Sequence, residues 1–354
     1  MEKWKFWFSI LVFAGLCFLA LRFTLTVRNE ESEEHLFASF LKKYRRNYTE
    51  ESEEYKSRLD AFKNAVKLTK EWNNGRTSEL SALYGITQFA DILSKDFSKK
   101  YLRGRSHAKI HKHTHYHHHH HDNVTAQRIK RAIDVDLPNV VDWRNKNVVN
   151  SVKDQKLCGA CWAFSTVGVI ESIAAIKTGV LPTLSVQQMI DCARNGNMGC
   201  VGGDPCSLVE WLDENNIKVV SELDYPLLLK DNACIVKKSD YGIRIADYTC
   251  DYLVGKEEKL LKMLALHGPV AAAVNALSWQ FYLGGVIESH CDGALDKLNH
   301  AVQIVGYDLT SSLPHYIVKN SWGKYFGEKG YVRVAIGANV CGIASEITSL
   351  DVIT

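Results

Sequence analysis

Hydrophobic and polar positions divide this chain into stretches of different period. Phe6 to Leu21 is an unbroken run of sixteen apolar or small residues behind the basic start Met1-Glu2-Lys3-Trp4-Lys5, and it ends at Arg22. That length suits the apolar core of a secretory signal and falls short of the roughly 20 residues of a spanning helix. Residues 30 to 80 are charged, lack proline and repeat at helical spacing. Phe37, Phe40, Leu41 and Tyr44 form one stripe, and Tyr55, Leu59, Phe62 and Val66 another, so a helical hairpin is predicted. From Cys161 to Thr178 the chain is apolar and alanine-rich on every face, which predicts a buried helix closed by Gly179. Further helix is predicted through 190 and over 206–217. After about 240, strands are predicted at Val270–Val274, Ala301–Tyr307, Tyr316–Lys319 and Tyr331–Ala335, punctuated by Gly and Gly-Pro. Helix first and strand later make an α+β chain.

Chemistry enters where these elements begin. In Cys158-Gly159-Ala160-Cys161-Trp162 a thiol stands at the mouth of the predicted buried helix, where unsatisfied amides and the macrodipole favour the thiolate over a thiol of pKa about 8.5. Amide cleavage by a thiolate also needs an imidazole to carry the proton and a group to orient that imidazole. His300 opens an apolar strand 139 positions after Cys161, and Asn320 opens Asn320-Ser321-Trp322-Gly323 at 159 positions. The spacing known for papain-type enzymes is roughly 130–150, so the second interval is slightly long and a surface insertion would absorb it. Taken singly, a cysteine before a helix or a buried histidine is usually a core residue. Four required residue types in order, with Gln155 just upstream, make the combination hard to produce by accident.

Those residues, with Leu184-Ser185-Val186-Gln187-Gln188 and Ser278-Trp279-Gln280, resemble a papain-family cysteine protease precursor over the propeptide and all that follows. The resemblance implies a two-lobe fold, a helical left lobe and a β-barrel right lobe facing across a cleft, preceded by an α-helical inhibitory propeptide. It implies Cys161 as nucleophile, His300 as acid–base partner, Asn320 as the group orienting His300, and Gln155 as oxyanion donor with the Cys161 amide. Trp322 would shield the His–Asn pair. It pairs Cys158 with Cys200, Cys192 with Cys234, and Cys291 with Cys341. Cys206 and Cys250 are left over, either bonded to each other or, as expected here, two buried free thiols. Gly202 and Gly203 would hydrogen-bond extended substrate. Pro205, Ala273, Leu298, Asn299 and Glu346 would complete substrate binding, with Glu346 at the floor of the pocket for the side chain two residues before the cut. Phe326 stands where the family usually has a second Trp.

The early region also resembles the family's propeptide. Glu54, Arg58, Phe62 and Asn73 match its signature, while Ala65 and Thr69 depart from it, and Gly85-Ile86-Thr87-Gln88-Phe89-Ala90-Asp91 resembles its second motif with Thr87 in place of Asn. Nine histidines fall between 107 and 121 without the order of a structural zinc site. A solvated tether is the plain reading and a pH sensor the sharper one, with zinc or copper binding as a rival. Arg128-Ile129-Lys130-Arg131 reads as a processing site cut at Arg131, and Asn47 and Asn123 as glycosylation acceptors. The expected organisation is a signal peptide or signal anchor over 1–27, propeptide over 28–131 and peptidase over 132–354.

Ten cysteines, nine of them beyond residue 150, indicate an oxidising compartment. Lysosome or extracellular space follows, with the signal anchor as the route to a membrane. A net charge of +3 and 46% hydrophobic residues give no argument for nucleic acid. No cofactor or catalytic metal is expected. Expected partners are polypeptide substrates, the chain's own propeptide and cystatin-type inhibitors. Two rivals are a non-catalytic papain-like scaffold and a His-rich secreted metal binder. The absence of an occluding insertion favours an endopeptidase.

Overall fold

The computed structural model describes residues 33–102, 137–235 and 241–353. The signal segment, the histidine tract, Asn123 and Arg131 lie outside the described residues. The chain divides into two compact units, Met1–Asn64 and Ala65–Thr354.

Within the first unit, α1 (Glu33–Tyr44) and the opening half of α2 (Glu53–Asn74) form the predicted hairpin. Ser52 caps α2 by accepting from the Tyr55 amide at 3.1 Å. The two apolar stripes meet as an aromatic cluster, with Phe37 5.2 Å from Phe62 and 5.5 Å from Tyr55. Glu54 pairs with Arg58 one turn on, at 3.3 Å.

The second unit holds the rest. The end of α2 is tied to β1 (Leu83–Tyr84) by a reciprocal pair: Asn73 donates to the Tyr84 carbonyl at 2.7 Å and accepts from its amide at 2.9 Å. A short α3 (Ser94–Tyr101) follows, and β2 (Val140–Asp142) opens the next described stretch. Then comes α4 (Cys161–Thr178), buried on nearly all sides and ended by Gly179 at φ 76°, whose amide reaches the Ala175 carbonyl. Helix α5 (Val186–Cys192) and helix α6 (Pro205–Glu214) pack around α4. Trp162, Ile170, Ile173, Met189, Leu208 and Leu212 fill that core.

The remaining elements are β3 (Arg244–Asp251), α7 (Glu257–Leu266), β4 (Val270–Val274), β5 (Tyr282–Gly284), β6 (Val286–Ile287), β7 (His300–Asp308), β8 (His315–Lys319), β9 (Tyr331–Ala335) and β10 (Ile347–Ile353). They build one sheet in the order β3-β10-β4-β7-β8-β9-β6, with β2 alongside β7, while β1 and β5 pair separately. Every pairing is antiparallel except β6 with β9. Strands β4 and β7 are buried on both faces and read as largely apolar runs, which makes them legible; β3 buries only Ile245, Tyr248 and Asp251 and is less so.

The expected barrel is not closed among the described residues, because β3 and β6 end the sheet without pairing to each other. Residues 80–82 take the free edge of β6 instead: the Ala82 amide donates to the Val286 carbonyl, and the Val286 amide to the Leu80 carbonyl, both at 2.7 Å.

The four disulfides among the described residues span Cα–Cα distances of 4.4 to 5.9 Å: Cys158–Cys200, Cys192–Cys234, Cys206–Cys250 and Cys291–Cys341. The expectation of two buried free thiols at Cys206 and Cys250 is therefore corrected. Packing of α6 on β3 brings them together, and both are only partly buried.

Candidate active site

Cys161 is the first residue of α4 and, among the described residues, the one cysteine outside a disulfide. Ala160 precedes it without a side-chain cap, so the helix dipole and first-turn amides are left to act on the sulfur. The loop that delivers Cys161 is held tightly. Gly159 donates to the Cys200 carbonyl at 2.7 Å beside the Cys158–Cys200 disulfide, and a Cβ on Gly159 would lie 2.6 Å from that oxygen. Trp162 points inward and donates to the Gly199 carbonyl at 3.2 Å.

His300 begins β7, which packs against α4 through Gln303. That side chain donates to the Gly168 carbonyl at 2.8 Å and to Ser172 at 3.0 Å, so the strand and helix that begin at His300 and Cys161 are locked together. His300 is buried, and its Nε2 lies 2.8 Å from Asn320 Oδ1. An amide oxygen only accepts, so Nε2 carries the proton and Nδ1 is the basic nitrogen. Asn320 Oδ1 also receives the Ser321 amide at 2.8 Å, which fixes the amide's orientation. The Trp322 ring lies 4.8 Å from the His300 ring, tilted by 35°, and Phe326 packs edge-on against Trp322 at 4.8 Å. Phe326 thus covers Trp322 with one ring fewer than a Trp would bring.

Gln155 is fully buried and reaches Ser321, the residue after Asn320. Its Oε1 accepts from Ser321 Oγ at 2.5 Å, and its Nε2 donates to the Cys158 carbonyl at 3.0 Å and the Tyr101 carbonyl at 3.2 Å. Ser321 was not singled out from the sequence, although it directly follows Asn320. Its hydroxyl decides which end of the Gln155 amide faces Tyr101.

The stretch 87–101 lies over this site. Phe89 and Phe97 meet the Trp322 ring edge-on at 5.5 and 5.4 Å, and Gln88 donates to the Trp322 carbonyl at 3.4 Å. Gln280, also missed as a functional residue, binds the same stretch with every polar atom of its side chain. Nε2 donates to the carbonyls of Phe89 (3.0 Å) and Ile92 (2.6 Å), Oε1 accepts from Ser94 at 3.0 Å, and its main-chain carbonyl accepts from Thr87 at 2.5 Å.

Of the remaining predicted site residues, Gly203 is required by close packing: a Cβ there would stand 2.6 Å from the Trp162 ring. Gly202 adopts φ 148°. Pro205 is the first residue of α6, behind the cap made by Asp204 on the Ser207 amide. Ala273 is buried and donates its amide to the Glu346 carbonyl at 3.0 Å; the Glu346 residue is exposed. Leu298 packs over Gly342, where a Cβ would lie 2.4 Å from it. The Asn299 amide is engaged internally, accepting from the Ala276 amide at 2.9 Å and donating to Asn275 at 3.0 Å. Asn47 is exposed.

Behind Asn320 lies a cavity of about 30 Å³ lined by Lys153, Glu171, Gln303 and Lys319 among others. Burial raises the Glu171 carboxyl and lowers the Lys319 ammonium to about 8. Lys153 pairs with Glu222 at the rim. Among the described residues no cluster of His, Cys, Asp or Glu could hold a metal ion, and no helix is long and apolar enough to cross a membrane.

Comparison with known proteins decides the family. Residues 137–350 match the family described as "Papain family cysteine protease", and residues 37–97 match "Cathepsin propeptide inhibitor domain (I29)". The chain belongs to the papain family of cysteine proteases. It is 40% identical to "Cathepsin O" of Homo sapiens over 294 residues, 82% of this chain and 87% of that one, and 39% identical to "Cathepsin O" of Mus musculus over 273 residues, covering 77% and 83%. Among solved structures it is similar to digestive procathepsin L2 from Tenebrio molitor larval midgut, with TM-score 0.78, 30% identity and coverage of 90% and 100%, and to recombinant stem bromelain precursor, with TM-score 0.74, 31% identity and coverage of 90% and 98%. This papain-family chain is a cysteine endopeptidase made with an inhibitory propeptide.

Proposed function

We propose that this papain-family zymogen hydrolyses peptide bonds through Cys161, His300 and Asn320, with Gln155 as oxyanion donor. The observation that carries the reading is the buried 2.8 Å contact of His300 Nε2 with Asn320, on a strand packed against the helix that Cys161 begins. Cys161 gives its proton to His300, and the thiolate attacks the scissile carbonyl carbon. The oxygen gains the electron pair and is stabilised by Gln155 Nε2 and the Cys161 amide, the former a contribution of about 3 kcal/mol. Collapse breaks the C–N bond as the imidazolium protonates the leaving amine. Water then attacks the thioester, giving a proton to His300 and releasing the acid and the thiol. Asn320 holds the ring through Nε2–H, and Trp322 keeps water from that bond.

In the zymogen the Tyr101 carbonyl occupies the Gln155 donor that the oxyanion needs. Extended peptides bind along Gly202 and Gly203, and the side chain two before the cut enters a pocket of Pro205, Ala273 and Leu298 beside Glu346. Synthesis through the secretory pathway, maturation at Arg131, and action in the lysosome or outside the cell, checked by cystatin-type inhibitors, complete the reading. Activated protein should take an epoxysuccinyl active-site label on Cys161 and Cys161→Ala should not. Absence of labelling in folded, processed protein would overturn it.

A further inference from the structure

The four disulfides do different work. Cys158–Cys200 and Cys192–Cys234 join loops and helices around α4, and Cys291–Cys341 joins two turns next to the sheet. Among the described residues, Cys206–Cys250 alone bonds a helix to a strand of the large sheet. We propose that Cys206–Cys250 is a positioning element that sets the width of the pocket for the substrate side chain two residues before the cut. The proposal rests on the reading of Pro205, Ala273 and Glu346 as walls of that pocket.

Both ends of the bond lie next to those walls. Cys206 directly follows Pro205 at the start of α6, so it fixes the turn of helix that presents the proline ring. Cys250 faces Thr348 across the β3–β10 ladder. Thr348 faces Ala271 on β4, and one step along Ile347 faces Ala272, so β10 is pinned between β3 and β4. The next step reaches Glu346, whose carbonyl takes the Ala273 amide at 3.0 Å. One covalent link of 5.9 Å between Cα atoms therefore connects the helix bearing Pro205 to the strands bearing Ala273 and Glu346. Non-covalent packing of α6 on β3 can slide, whereas a disulfide holds Cα–Cα separation within a narrow range. Pocket discrimination between side chains differing by a few methylene groups depends on such fixed walls.

The test compares Cys206→Ser/Cys250→Ser with wild type, both made as the full zymogen, activated, and normalised by epoxysuccinyl titration so that unfolded molecules are not counted. Should the serine pair fold poorly, Cys206→Ala/Cys250→Val fills the same space without polar atoms. Peptide substrates differ only in Val, Leu or Phe two before the cut. Loss of the bond should raise the Phe-to-Val ratio of kcat/KM by about fivefold or more, through KM, with kcat nearly constant. Cys192→Ser/Cys234→Ser is the control for general loosening: it should lower Tm and leave the ratio alone. An unchanged ratio in the Cys206/Cys250 variant, with Glu346→Ala and Ala273→Val still altering preference, overturns this proposal and spares the pocket reading. No change in any of the three overturns both, and equal shifts on removing either disulfide also refute it.

Discussion

Removing the Gln280 side chain should open the zymogen without touching the catalytic groups. In Gln280→Ala the carbonyls of Phe89 and Ile92 lose their donor and Ser94 loses its acceptor, three hydrogen bonds at 3.0, 2.6 and 3.0 Å. The site is buried, but alanine leaves space that water can enter, so a net value of about 1 kcal/mol per bond is used in place of the full desolvation penalty. The total, about 3 kcal/mol, corresponds to roughly a hundredfold rise in the population whose propeptide has lifted off. That population is readable directly, because an epoxysuccinyl label reaches Cys161 only when the stretch 87–101 has moved from Trp322 and Gln155. When opening and closing outrun labelling, the labelling rate of intact zymogen tracks that population. Zymogens carrying Lys130→Ala/Arg131→Ala, to prevent processing, would be labelled at neutral pH, and each rate divided by that of the corresponding mature enzyme. The expected ratio of variant to wild type is about 100. A normalised ratio within twofold would show that the Gln280 amide does not hold the propeptide down, and would refute the reasoning from its three bonds.

Two further outcomes follow from the charged groups. Glu346→Ala should cut peptides with Arg two before the scissile bond about tenfold less well relative to Leu, since on the proposed reading its carboxylate pairs with the guanidinium; equal relative Arg cleavage by both enzymes, measured as kcat/KM, would reject that role. Lys319 makes stability depend on pH. Below pH 8 its ammonium is charged in both folded and unfolded chains, so its desolvation opposes folding in full; between about 8 and 10.5 the folded protein has released the proton while the unfolded chain still binds it, so this group's contribution rises with pH. Lys319→Met should remove that rise, worth about 3 kcal/mol at most. Tm of the inhibitor-blocked mature enzyme against pH tests it, and parallel wild-type and variant curves from pH 7 to 10 would sink the assignment.

What the sequence revealed depended on whether a residue's neighbours in the chain were also its neighbours in space. The helix from Cys161 to Thr178 was readable to the residue, because an all-round apolar segment with a glycine stop has few alternatives. Strand β8 is one residue longer at its start than predicted, since His315 looks polar in sequence and is buried in the fold. Strand β3 is buried at only three of its eight positions, without a two-residue period, and falls under the general expectation of strand after 240. Ser321 and Gln280 lie within motifs named from the sequence, yet their roles were not legible there, for a different reason. Each is a polar residue whose meaning comes from a partner 166 or about 190 positions away. Cys206 and Cys250 carried no local sign of pairing; the docking of α6 on β3 supplies it. The β-rich lobe implied by the family resemblance is an open sheet among the described residues, and nothing local in the sequence marks residues 80–82 as the chain that takes the edge of β6.

On the proposed reading the zymogen is silenced by covering its site, and the geometry of His300, Asn320 and Gln155 beneath is left whole. His300 and Asn320 stand 2.8 Å apart with the propeptide in place, and Ser321 already orients the Gln155 amide. Activation then needs no rebuilding of the active site, only departure of Tyr101 from Gln155 and of Phe89 and Phe97 from Trp322. A tether suits this arrangement, because a linked segment acts at an effective concentration in the millimolar range, so a propeptide of only micromolar affinity would still close the site in all but about one molecule in a thousand. Cutting the tether, proposed at Arg131, leaves those contacts intact and removes the linkage, after which dilution alone favours release. On that reading the closed state rests on the Gln280 amide and the aromatic cover together, contacts that work at millimolar effective concentration while the chain is linked and are open to dilution once it is cut.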